Sequence, residues 1–153
     1  MARLRTIVSH RRLSGRPAAG VKSEARVVIR FDRGGRTYFP GETLGGEYRI
    51  EGLWPEDIRA VELSVLWHTE GKGDEDLAVH HFQRIPPDDF EMHGPPTGQF
   101  ETVLPNSPLS YEGVTIKLRW CVRVRVFPRR GKEVVGEAGF RLGNLPAVEA
   151  SWP

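Results

Sequence analysis

The sequence predicts an all-β protein built as one antiparallel sandwich. Three observations carry that prediction. Residues 114–127 read VTIKLRWCVRVRVF, with Val114, Ile116, Leu118, Trp120, Val122, Val124 and Val126 on one side. Thr115, Lys117, Arg119, Arg123 and Arg125 fall on the other, with Cys121 and Phe127 as exceptions. Strict period-two alternation marks a strand with one buried face, here about 46 Å long at ~3.3 Å per residue. Further apolar alternations recur along the chain between Gly/Pro/Asp turn signals, the pattern of an antiparallel sandwich. No segment carries a helical period of useful length.

The elements follow in order. Ala25, Val27, Ile29 and Phe31 alternate with Arg26, Val28 and Arg30 in a first strand, closed by the turn Asp32-Arg33-Gly34-Gly35. Pro40-Gly41 suits the centre of a type II turn, since proline fixes φ and glycine accepts positive φ. Leu44, Gly46, Tyr48 and Ile50 form a second strand, broken by Gly52 to Asp57. Ile58 to Thr69 is a longer one, with Val61, Leu63, Val65 and Trp67 inward and Leu66 an apolar residue on the polar face. Gly71 to Asp76 is a charged loop, and Leu77 to Ile85 a weaker strand. Pro86 to Gly98 is expected to be a mobile loop. Phe100, Thr102 and Leu104 mark a strand ending at Pro105, because proline has no amide hydrogen to give a ladder.

The last hairpin turns at Pro128 to Lys132. Pairing residues whose numbers sum to 260 sets Val126 opposite Val134, Val122 opposite Ala138, Trp120 opposite Phe140 and Leu118 opposite Leu142. A one-residue slip would turn them all into water, so the parity is fixed, while a two-residue slip keeps that parity and stays open. Arg123 then faces Glu137 on the outer surface.

Length allows one domain: a basic tail over 1–22, a sandwich over 23–144 and a C-terminal tail over 145–153. The tail 1–22 carries six basic residues and no acid, whereas the rest has 16 basic and 20 acidic residues. The high isoelectric point therefore belongs to the tail. Such a tail can attract nucleic acid or anionic lipid or resemble a transit peptide, but a solvated terminus is the simpler expectation, with no clear nucleic-acid binding. Neither a membrane span nor an apolar signal core is present. One cysteine excludes an internal disulfide and cysteine-rich zinc sites, which fits a cytoplasmic location.

Two segments resemble a known family. Tyr38-Phe39-Pro40-Gly41-Glu42 before Leu44-Gly45-Gly46 resembles the opening of an arrestin-type sandwich. Phe100 to Pro105, then Pro108, Ser110-Tyr111-Glu112-Gly113 and the long strand, is similar to that fold's second hallmark. In order, they span roughly residues 25–143. The resemblance implies an immunoglobulin-like, arrestin-like sandwich acting as a non-catalytic scaffold or adaptor. Arrestins usually comprise two such lobes. A single lobe is expected to stand alone, to form a homodimer or to pair with a second arrestin-like lobe. The Pro-Pro-x-Tyr motif of some relatives is not formed at Pro86-Pro87 or Pro95-Pro96.

Candidate chemistry is sparse. His68, His80, His81 and His93 lack the fixed carboxylate–histidine spacing of a metal site, and neighbours His80 and His81 are expected on opposite faces, so no metal or cofactor is expected. Cys121 lies among arginines, which lower a thiol pKa when close, but no histidine stands beside it, so it is taken as inert. No nucleophile elbow or phosphate-cradling loop is present, and no enzyme is expected. The stripe Lys117, Arg119, Arg123 and Arg125, extended by Arg129, Arg130 and Lys132 at the hairpin tip, sets cations about 6.6 Å apart along the strand. It suits a protein partner with acidic or phosphorylated segments. The alternative is a module binding a carbohydrate or small anion, with Trp54 and Tyr38 as sugar-stacking aromatics.

Overall fold

The structure, a computed structural model, describes residues 24–91 and 93–146. The basic tail and residues 147–153 lie outside the described residues. Among the described residues, nine strands form two sheets: β1 (Arg26–Phe31), β2 (Thr37–Tyr38), β3 (Thr43–Glu51), β4 (Ile58–Gly71), β5 (Leu77–Ile85), β6 (Thr97–Val103), β7 (Tyr111–Glu112), β8 (Ile116–Pro128) and β9 (Val134–Leu142). The smaller sheet has the order β1-β3-β6, and the larger β2-β9-β8-β4-β5, with β7 also beside β8. All pairs are antiparallel except β2 with β9. The fold is an all-β sandwich without an α-helix among the described residues.

Period-two patterning dictates the layers. Val27, Ile29 and Phe31 of β1, and Leu44, Tyr48 and Ile50 of β3, are buried against Val61, Leu63 and Val65 of β4 and Trp120, Val122, Val124 and Val126 of β8. At one end an aromatic cluster fills the space between sheets. The rings of Phe31 and Phe140 lie 6.1 Å apart, Tyr38 and Phe140 5.7 Å, and Trp120 and Phe140 5.8 Å. Trp120 donates its indole N–H to the carbonyl of Pro108 at 2.8 Å, so a large buried side chain keeps its polar atom satisfied.

The two family-like segments clasp each other. Gly41, at φ 83°, completes the type II turn, in which Glu42 N donates to Phe39 O at 3.0 Å. Gly41 N then donates to Leu104 O at 3.0 Å, and Leu104 N to Glu42 O at 2.9 Å. The second segment is anchored by Ser110. Its amide donates to Leu142 O, and its hydroxyl accepts from Leu142 N, both at 2.8 Å.

Several expectations need correction. The long strand starts at Ile116, and Val114 and Ile116 are exposed at 61% and 40%. There β8 pairs with Gly71 of β4 and with β7, past the reach of the smaller sheet. For the same reason Leu118 does not pair with Leu142: Tyr111 takes the place opposite Leu118. The other hairpin pairs, from Trp120–Phe140 to Val126–Val134, form as expected. Pro86 to Gly98 is not all loop. Pro87–Asp89 forms a 3₁₀ turn, Phe90 is buried in the core, and β6 begins at Thr97.

Candidate functional site

The outer face of the larger sheet carries the predicted cations, and every one on β8 has an acidic neighbour. Arg123 Nε donates to Glu137 Oε1 at 2.6 Å. Arg125 reaches Glu133 through Nε at 3.0 Å and Nη2 at 2.7 Å, and its guanidinium lies 5.2 Å from the Phe127 ring centre. Arg119 sits 3.2 Å from Glu70 and 3.3 Å from Glu112, while Lys117 Nζ is 3.7 Å from Glu112. At the tip, Arg129 donates to Glu56 O at 3.0 Å, and Arg130 is exposed. The stripe is thus a row of ion pairs. Each part-exposed pair contributes under about 1 kcal/mol, and each shields the charge that a partner would seek.

Beside this row lies an open groove of about 1080 Å³. Its floor is low because Gly139 has no side chain and Cys121, opposite it, has a short one. Arg36, Arg119 and Arg141 contribute cations to the walls, His68 an imidazole, and Glu70, Glu112 and Glu137 contribute acids. Arg36 donates to Gly139 O at 3.1 Å, and Arg141 donates to Gly143 O at 3.3 Å and to Leu145 O. The outward position of Arg141 follows from the parity of β9. Arg36 is far away in sequence, so only the β2–β9 pairing brings it here.

Cys121 departs from expectation only in its burial. It points outward as expected, but it is buried, next to the equally buried Leu66 with which it pairs. Burial pushes its thiol up to about 12, with Glu137 adding to the rise and Arg123 only opposing it. The nearby arginine does not prevail because loss of water penalises the thiolate more.

The histidines do not converge. His68 lines the groove, 3.9 Å from Glu70. A bulge in β5 makes His80 an extra residue, so the expected opposite facing of His80 and His81 fails. His80 Nε2 lies 2.8 Å from Val103 O, and its ring is 6.1 Å from Trp120 in the core. His81 stands opposite the core residue Val65. No group of three or more potential metal ligands exists among the described residues. Tyr38 cannot stack on a sugar, because it is wholly buried, whereas Trp54 is half exposed.

The feature that sequence reading passed over is the outer side of β5. Leu77, Val79 and Phe82 are exposed at 54%, 50% and 55%. β5 is the last strand of its sheet and pairs only with β4 among the described residues. In sequence Phe82 breaks the alternation of Leu77 and Val79, and only the bulge at His80 brings the three to one face.

No family model matches the sequence, and no curated protein is similar to it in sequence. Among solved structures, the chain is similar to Spo0M, a sporulation control protein from Bacillus subtilis. The TM-score is 0.56 and the identity 20%, over 79% of this chain and 50% of that one. The chain thus spans about half the length of Spo0M and shares its fold. No helix among the described residues is long and apolar enough to cross a membrane.

Proposed function

We propose that the chain is an arrestin-like, non-catalytic scaffold or adaptor lobe that meets protein partners at the β5 edge and along the outer face beside it. The observation that carries this reading is the half-exposed row Leu77, Val79 and Phe82 on an edge strand. An open edge offers main-chain donors and acceptors to an added strand, and the apolar row gives that strand something to cover. The likeness in fold to a control protein supports a regulatory role. A cytoplasmic setting fits the single, buried, free cysteine.

The test compares three forms in capture of partners from native extract. One is unaltered, one carries Val79→Lys with Phe82→Glu, and one carries Arg119→Glu, Arg123→Glu and Arg125→Glu. The β5 form is expected to lose its partners while keeping its dichroism spectrum. If only the stripe form loses them, docking belongs to the arginine row. If both keep them, the surface assignment is wrong.

A second reading, a small-anion module, is favoured by the groove with Arg36, Arg119 and Arg141 in its walls. Phosphate, sulfate or acidic sugars would then raise Tm by linkage. An unchanged Tm across such a panel removes it.

A further inference from the structure

We infer that the β5 edge is occupied by the β5 edge of a second copy of this chain, running antiparallel about a two-fold axis near His80. This rests on β5 being the interacting edge, and it names the occupant.

Charge along the strand selects the partner and its direction. The N-terminal flank of β5 is Asp74-Glu75-Asp76, all exposed and without an ion-pair partner among the described residues. The C-terminal end carries Arg84, whose side chain is 62% exposed and held from behind by Glu62 at 2.9 Å. Val61 pairs with Ile85, and the exposed Arg59 precedes it by two residues, so this end carries two exposed arginines against the one carboxylate of Glu62. Asp88 and Asp89 follow, but the 3₁₀ turn at Pro87–Asp89 leads the chain off the edge, where Asp89 acts on buried Tyr48. Two copies side by side in parallel would set acid against acid. Antiparallel, each acidic flank meets the other copy's Arg84, and the strand is complementary to itself. That is the condition for a closed two-fold interface.

The bulge fixes where the axis falls. The extra residue at His80 divides the edge into Leu77–Val79 and 81–85. An axis just after the bulge, with paired numbers summing to 161, keeps outer residues opposite outer ones: Val79 faces Phe82 and Leu77 faces Arg84 of the second copy, which leaves the acidic flank next to that arginine. His80 is exposed, and its ring lies toward Trp120 and Val103 on the side of the smaller sheet. On the outer face, Leu77, Val79 and Phe82 from both copies merge into one apolar stripe. Without a partner, a long edge with such side chains invites aggregation, and a closed pair removes it.

Sedimentation equilibrium of the full chain, up to about 0.5 mM, reads the result directly. The unaltered chain is expected at twice its 17.3 kDa mass. Phe82→Lys or Val79→Lys is expected to give a monomer that keeps its folded dichroism spectrum, since both positions are half exposed, and whose Tm no longer rises with protein concentration. Arg84→Glu is expected to weaken the dimer by about tenfold or more, and adding Glu75→Arg to restore it to within about threefold. A monomer at every concentration overturns the inference, as does a dimer indifferent to Phe82→Lys, or a charge swap that restores nothing. A monomeric chain whose partner capture still depends on Val79 and Phe82 leaves the adaptor function standing with a different occupant. Loss of that dependence removes both.

Discussion

Two buried proton donors make the protein sensitive to alkali. Burial, with Asp89 nearby, pushes Tyr48 from its ordinary 10.0 up to about 12, and burial pushes Cys121 from 9.0 up to about 12. Each is neutral when protonated. Below pH 9 both states of the chain hold these protons, so stability is full. Between about pH 9 and 12 the unfolded chain releases them first, and stability falls as pH rises. Tyr48 alone accounts for about 2–3 kcal/mol of loss by pH 12, at 1.36 kcal/mol per pKa unit. Melting curves at pH 8 and pH 11 should show a large drop in Tm for the native chain and a smaller one for Tyr48→Phe. An equal drop would assign the lability elsewhere. Gly46 is a second sensitive position. It faces the core between Phe31 and Phe100 on the flanking strands, and a methyl group there would lie 2.8 Å from Phe100 Cζ and collide with the Arg30 carbonyl. Gly46→Ala should cost about 1–3 kcal/mol by overpacking, read as a lower urea midpoint at unchanged slope.

The hairpin β8–β9 was the most legible element. Its parity was fixed, because only one parity buries Trp120, Val122, Val124 and Val126 against Phe140, Ala138 and Val134, and the structure decided among registers two residues apart. The Arg123–Glu137 pair comes with that parity. A double-mutant cycle with Arg123→Ala and Glu137→Ala should return a coupling of roughly 0.2–1 kcal/mol, because water still reaches both side chains. A value of several kcal/mol would mean that the pair is desolvated by something bound over it. The strand ends were less legible. Alternation continues through Val114 and Ile116, yet burial stops, because alternation records which side a residue takes and not whether another layer covers that side. The bulge at His80 was hidden for a related reason. One inserted residue is defined only relative to the neighbouring strand β4.

At the scale of the molecule, function turns on which surfaces the sandwich leaves uncovered. The arginine row drew notice in the sequence as an excess of one charge, but Glu70, Glu112, Glu133 and Glu137 stand beside it once strands pair. Reversing Arg119, Arg123 and Arg125 to Glu should therefore lower Tm by setting like charges together, even if partner capture is kept. An unchanged Tm would show that the pairs are not formed in solution. The β5 edge shows the opposite history. Its apolar residues look like core in the sequence, and they are exposed because β5 ends the larger sheet.

What the sequence determined by itself is local: strand spacing of two, the type II turn at Pro40-Gly41, and the parity of the last hairpin. Each depends on neighbours along the chain or on one fold of the chain back on itself. What only the tertiary structure decided is long-range: Arg36 brought beside Gly139, Cys121 and Leu66 buried on an otherwise charged face, and Leu77, Val79 and Phe82 left open. Burial and ion pairing are properties of assembled sheets. Alternation names two faces for every strand, and only the order of strands decides which face is covered and which edge stays free.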